Sequence, residues 1–299
     1  MKYNILNLHD QFCQSALWEK NLRPSTIKWY KDALKFYLQF YNNQLVYLDQ
    51  LTTESLRRYF YQKRSSGAWL ADTHLNQYRA IKSFLKWCVQ LGYLEYNPIE
   101  KIEKPKLDKK LPKRITSQEA SQLLEYVFNE DTQYQFARYR NRAVLAIMLY
   151  AGLRATEMLN LKTNHVDMNN KIIHVFQGKG AKDRVIPMSR NLHCYLDEYK
   201  RERSRLRKSC DHFFTTLRGN RCFTYSGLKR VVEKAKNATG IKFSPHRLRH
   251  TFATLMLEGG CDLFSLQKMM GHSDIKTTTI YLSASVSMLQ EQIVKHPLG

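Results

Sequence analysis

Lys171-Ile-Ile-His-Val-Phe-Gln-Gly-Lys-Gly-Ala-Lys-Asp-Arg-Val-Ile-Pro-Met188 is the one stretch that breaks a helical rhythm. Lys171 to Phe176 and Asp183 to Met188 read as β-strands, and Gln177-Gly-Lys-Gly180 supplies the turn between them. Outward in both directions the apolar residues return at spacings of three and four, the signature of amphipathic helices. Before the hairpin, helices are expected over 117–128 and 138–150. After it, they are expected over 189–207, 225–238, 245–258, 262–270, 274–282 and 286–295. The expected fold is therefore mainly α with a small β-sheet in the C-terminal half.

Residues 5–20 and the segments opening at Pro24, Thr52 and Asp72 also read as helices, with Ser25, Thr52 or Thr53, and Asp72 or Thr73 as caps. Gly92 is placed to close the last of them. All four tryptophans (18, 29, 69 and 87) fall here; their helical spacing favours a core, with base-stacking surfaces as the alternative. Between Asn97 and Arg114 the pattern stops. Pro98, Pro105 and Pro112 deny a continuous helix, and seven basic residues line the segment. The expectation is two domains, 1–98 and 115–299, joined by a basic linker at 99–114. That linker is either a solvated tether or a strap along a phosphate backbone.

The chain has 299 residues and a formal net charge of +22. Residues 1–110 contribute +8 and residues 111–299 contribute +14, so no single tail holds the excess. A self-repelling globular chain of this kind suits a polyanionic partner, either nucleic acid or an anionic membrane surface. A membrane span is excluded by the absence of any apolar run of about 18 residues. Residues 1–10 carry no basic-then-apolar secretory pattern. No lipidation signal or long basic amphipathic helix supports membrane binding. The six cysteines, at 13, 88, 194, 210, 222 and 261, form no CxxC pair, which argues against a zinc ribbon and for reduced thiols in the cytoplasm.

Four islands mix glycine or proline punctuation with Arg, Lys, His or Tyr. They begin at Ala151, Gly178, Ser244 and Met270. Arg154 follows a helix end at Gly152, and Glu157 lies three residues on, placed to orient it. Lys179 sits between two glycines at a hairpin tip. His246 and Arg249 stand near the start of a helix, an end that favours anions. His250 is four residues after His246, an arrangement compatible with zinc, but no acid or cysteine stands near in sequence. His272 and Tyr281 close the series. Taken singly, each residue has an ordinary structural explanation. Together they offer cations, imidazoles and a hydroxyl without paired carboxylates, which suits chemistry on a phosphate without a metal. A tyrosine hydroxyl, ordinarily titrating near 10, needs cationic neighbours or a base to attack at neutral pH.

These islands resemble the tyrosine recombinase, or phage integrase, family, and most of all its compact Xer-type members. Ala151-Gly-Leu-Arg-Ala-Thr-Glu157 resembles the first-arginine motif. Gly178-Lys-Gly-Ala-Lys-Asp-Arg184 resembles the hairpin motif. Ser244-Pro-His-Arg-Leu-Arg-His-Thr-Phe-Ala-Thr254 resembles the His-x-x-Arg motif, and Gly271-His-Ser-Asp-Ile-Lys-Thr-Thr-Thr-Ile-Tyr281 the last box. The resemblance covers nearly the whole chain. Met269-Met270 replace the usual leucines, and Leu282-Ser283 stand where Thr-His is common in Xer proteins.

The resemblance implies a two-domain clamp on double-stranded DNA, with a helical, SAM-like core-binding domain and a catalytic domain. It implies site-specific recombination through a 3′-phosphotyrosyl intermediate, with no cofactor. It assigns Arg154, Lys179, His246, Arg249, His272 and Tyr281 to catalysis and Glu157 to support. It also implies a synaptic tetramer assembled through a C-terminal helix near 286–295, whose alternative is intramolecular packing. No separate arm-binding domain is expected before residue 1. Two other readings stay open on the residues alone: a monomeric type IB topoisomerase-like enzyme, and a DNA-binding protein that has lost catalysis.

Overall fold

The computed structural model describes residues 2–106, 114–130, 134–176 and 183–271. The chain divides into two compact units, Met1–Lys109 and Lys110–Gly299.

The first unit contains, among the described residues, α1 (Ile5–Trp18), α2 (Pro24–Phe40), α3 (Thr53–Ser65) and α4 (Ala71–Gln90). Their inward faces meet in a core rich in aromatic rings, including Phe12, Tyr37, Tyr59, Tyr78 and Phe84. The Thr52 hydroxyl accepts from the Ser55 N–H and caps α3. Gly92 takes the left-handed conformation just beyond α4. Three expectations change. α2 starts at Pro24 rather than after Ser25, because proline's fixed φ suits the first helical position. α4 starts at Ala71 with no side-chain cap, and Asp72 lies in its first turn. Trp18 is not core: it ends α1 and is 78% exposed, whereas Trp87 is buried and Trp69 packs half-buried against the core.

The segment read as linker from residue 99 begins inside this unit. Pro98–Lys101 forms a 3-10 turn, and Ile99 is fully buried with the first core. At its other end Arg114 pairs with Glu258 at 2.8 Å, and the Ile115 N–H donates to the Thr251 hydroxyl. Apolar burial at one end and an ion pair at the other shorten the tether; residues 107–113 lie outside the described residues.

The second unit is built around α6 (Gln135–Tyr150). Ala143 to Met148 are all fully buried, so this helix is apolar on every side there. It packs against α5 (Ser117–Asn129) and, further along the chain, α8 (Arg190–Arg205) and α10 (Pro245–Glu258). Between α6 and α8 come the short α7 (Ala155–Leu159) and a three-stranded antiparallel sheet: β1 (Val166–Asp167), β2 (Ile172–Val175) and β3 (Arg184–Pro187). The hairpin reading is right, and β1 is an addition. With two residues, β1 is too short to show an alternating pattern in sequence. α9 (Tyr225–Thr239) precedes α10, and α11 (Leu263–Met270) follows it. The helices expected at 274–282 and 286–295 lie outside the described residues. The fold is mostly helical with a small sheet in the second unit.

Candidate active site

The site grows from one close approach. α6 ends at Tyr150, and Gly152 turns the chain with φ +61°. A Cβ built on Gly152 would lie 2.3 Å from the Phe252 ring of α10, so only glycine fits. The turn delivers Leu153 to the core and Arg154 to the first position before α7. Glu157, in the first turn of α7, reaches back to accept from the Arg154 N–H at 2.8 Å and from Arg154 Nη1 at 2.7 Å. The Arg154 side chain stays 40% exposed, while that of Glu157 is 8% exposed.

The same carboxylate binds a second guanidinium. Arg184 donates to both oxygens of Glu157, at 2.7 and 3.2 Å, and its side chain is 6% exposed. The strand pleat explains why a charge points inward here: alternation puts Arg184 on the buried face of β3 with Ile186, opposite Val175 of β2. A third guanidinium, that of Arg249 on α10, lies 3.7 Å from Glu157. Arg249 also donates to the Gly152 carbonyl at 2.5 Å and to that of Met270. Arg184 Nε donates to the neighbouring Met269 carbonyl at 2.7 Å. Two arginines from different segments thus satisfy carbonyls at the C-terminal end of α11, where the helix dipole favours cations.

α10 carries the imidazoles. Ser244 caps the helix by accepting from the Arg247 N–H, and Pro245 occupies the first position. Helical spacing then sets His246, Arg249 and His250 on one face. The Nε2 atoms of His246 and His250 are 2.8 Å apart, with the rings edge-on. Burial, then Arg249 and Arg154, pull the His246 imidazole below its usual range. Burial, then His246 and Arg249, bring His250 down to about 4.

Glu157 shows the electrostatics most plainly. Burial alone would push its carboxyl up. The Arg184 hydrogen bonds and charge, with the Arg154 N–H and guanidinium, outweigh burial and hold it at about 2. The folded value is depressed below the ordinary 4.5, so the stabilisation is complete above pH 4.5 and is lost as pH falls towards 2. Across that interval the wild-type chain is expected to lose about 3 kcal/mol of unfolding free energy that Glu157→Gln does not lose. Denaturant midpoints measured at steps through the interval check this.

The structure brings Arg154, Glu157, His246 and Arg249 into one cluster. Lys179 lies in 177–182, and His272 and Tyr281 lie in 272–299, outside the described residues. Two residues without a role in the sequence reading belong to the cluster: Arg184, as the second partner of Glu157, and His250, as the partner of His246. The first was legible from strand period, since Arg184 shares a face with Ile186. Among the described residues no group of three or more His, Cys, Asp or Glu is placed to hold a metal ion. Among them, too, no helix is long and apolar enough to cross a membrane.

Comparison with known proteins gives the cluster its context. The family model described as "Phage integrase family" matches residues 113–288, and "Phage integrase, N-terminal SAM-like domain" matches residues 10–92. The chain is 33% identical to tyrosine recombinase XerC of Serratia marcescens over 274 residues, 91% of this chain and 88% of that protein. It is 28% identical to XerC of Leptospira interrogans over 289 residues, 93% and 89% of the two chains. Among solved structures, XerH bound to palindromic difH in a post-cleavage complex superposes with a TM-score of 0.73 at 22% identity, covering 96% of this chain and 83% of that one. The Tn1549 transposon integrase in complex with transposon right-end DNA gives 0.74 at 18% identity, covering 98% and 99%. Four motifs in order, a SAM-like unit followed by a catalytic unit, and this relatedness over nine-tenths of the chain place the protein in the phage integrase family, as a tyrosine site-specific DNA recombinase.

Proposed function

We propose that Arg154, Lys179, His246, Arg249, His272 and Tyr281 are the catalytic set, with Glu157 in support, and that they act on one phosphate of a double-stranded DNA recombination site. The observation that carries this reading is the Glu157 carboxylate gathering Arg154, Arg184 and Arg249. Three guanidiniums on one carboxylate leave the cluster cationic, and Arg154 keeps an exposed edge to meet an anion.

Tyr281 attacks phosphorus. Its O–H bond breaks, the proton passes to His246, and the oxygen's electron pair forms the new P–O bond. The bond to the 5′-oxygen breaks, and Lys179 protonates that leaving oxygen. Arg154 and Arg249 hold the non-bridging oxygens as charge builds, and His272 hydrogen-bonds to the phosphoryl group. The 3′-phosphotyrosyl link conserves the phosphodiester's energy, so a 5′-hydroxyl from a partner strand reverses the step without ATP. Both halves of the chain, +8 over residues 1–110 and +14 over residues 111–299, supply charge that meets the duplex phosphates, in the cytoplasm. Four copies assemble through the helix expected at 286–295, each docking on a neighbour. The function is proposed for two domains joined by a basic bridge, the first running past residue 98 to take in Pro98–Lys101 and the second beginning at 115.

The test starts from a pool of nicked duplexes with randomised central positions. Covalent complexes that survive denaturation are captured, the bound DNA is sequenced, and the DNA-linked peptide is mapped. The link is expected on Tyr281. A link on any other residue, or none from any duplex, overturns the assignment.

A further inference from the structure

His250 is absent from the catalytic set above, yet its side chain is in direct contact with that of His246. Their Nε2 atoms stand 2.8 Å apart, with ring centroids 4.2 Å apart and planes at 73°. That distance is a hydrogen bond, so one nitrogen carries the proton and the other presents a lone pair. In either arrangement His246 Nε2 is committed, and Nδ1 is left as the atom for outside chemistry. A base needs a lone pair on that atom. The proton between the rings must then belong to His246, with His250 as acceptor.

We propose that His250 is a positioning residue: by accepting from His246 Nε2–H it fixes the tautomer in which Nδ1 of His246 takes the proton of Tyr281. The inference rests on the reading of His246 as the proton acceptor. The arrangement also steadies the product of that transfer. Once Nδ1 is protonated, the imidazolium still donates from Nε2 to a neutral neighbour, a bond stronger than the one made before. His250 stays neutral for that purpose because burial, His246 and Arg249 all oppose its protonation. The cations bearing on the pair are Arg249 on the same helix and Arg154 on the turn into α7; both oppose charge on His246. A hydrogen-bond acceptor therefore counters part of the penalty that the two arginines impose.

Helix geometry supports the pairing. Residues i and i+4 share a face, and the half-buried His250 backbone carbonyl is itself fixed by the Thr254 hydroxyl. The pair is thus held within one rigid element and needs no neighbouring loop to form.

The test uses the full chain in three forms, wild type, His250→Leu and His250→Gln, with the duplex captured as above. Nitrogen-15 spectra of histidine-labelled protein, with the signal assigned through His246→Gln, are expected to show His246 protonated on Nε2 in the wild type. In His250→Leu the tautomers should mix. Single-turnover covalent cleavage should fall about tenfold, the weight of one such hydrogen bond. The acidic limb of its pH profile should move to lower pH, because the imidazolium has lost its acceptor. His250→Gln, whose amide oxygen reaches the same atom, should restore both rate and limb. A wild-type His246 protonated on Nδ1, or an unmoved profile in folded His250→Leu, overturns the proposal. His246→Gln separates the two readings. If it leaves cleavage intact, the role of His246 itself is wrong. If it slows cleavage by about 10²-fold while His250→Leu changes neither tautomer nor profile, the proposal for His250 alone falls.

Discussion

Tyr281→Phe is expected to bind its duplex as tightly as the wild type and to form no covalent adduct. The substitution deletes one oxygen and keeps the ring, so it removes the hydroxyl with the smallest change of side chain. Affinity for a duplex comes mainly from Lys and Arg meeting phosphates, and none of the 48 such residues changes. Chemistry, in contrast, loses its nucleophile, and no neighbouring group inherits the bond to phosphorus. A nicked duplex makes the comparison clean: the short 5′-hydroxyl fragment diffuses away and traps any adduct that forms. Gel retardation reports binding, and denaturing gels report the covalent species. An adduct undiminished from wild type would remove Tyr281 from the mechanism.

Arg249→Ala is expected to slow adduct formation by about 10²–10³-fold, the usual loss on removing one donor to a developing oxyanion. The structure adds a second effect. This guanidinium donates to the carbonyls of Gly152 and Met270, and its side chain is 4% exposed. Its loss leaves both buried acceptors without that donor, at a cost of about 1–3 kcal/mol each before relaxation. Thermal unfolding should therefore fall along with cleavage. Arg249→Lys separates the two effects. It keeps a charge facing Glu157 but loses the fork that spans two carbonyls and, in the proposed reaction, holds the phosphate, so it should recover more stability than rate. Single-turnover kinetics beside thermal midpoints decide it. Wild-type cleavage in either variant would contradict the assignment.

Much of this molecule was legible before any coordinate. Helical spacing marked α8, α9 and α10, because each buries one broad apolar face, the long apolar run marked α6, and the glycine-split hairpin announced β2 and β3. Errors fell where local signals compete. Ser25 has the chemistry of a cap, but Pro24 already sat at the favoured first position. Trp18 matched the helical spacing of its neighbours, yet it is the last residue of α1 and is 78% exposed. Ile99 followed a proline and preceded a basic run, so it looked like tether, although it is buried in the first core.

At the site, residue types and order pointed to the arginines, while their long-range pairings were not legible. Glu157 could be paired with Arg154 because they are three residues apart. Its bond to Arg184 spans 27 positions and depends on how β3 lies against α7. The His246–His250 pair was visible as spacing, but the same spacing also suited a metal. Only the 2.8 Å contact says that the two rings face each other.

The bonds that fix the end of α11 also set an order of events in synthesis. Arg249 meets Gly152 across 97 positions of chain, and Arg184 meets Met269 across 85. Contacts this distant close large loops and form late. A nascent chain that has emerged only as far as α10 already carries both arginines, but the carbonyls of Met269 and Met270 have yet to arrive. The arginine bonds at the end of α11 are therefore completed only once α11 itself is made. A fragment that stops short of α11 therefore lacks the carbonyls that Arg184 and Arg249 bind in the whole chain.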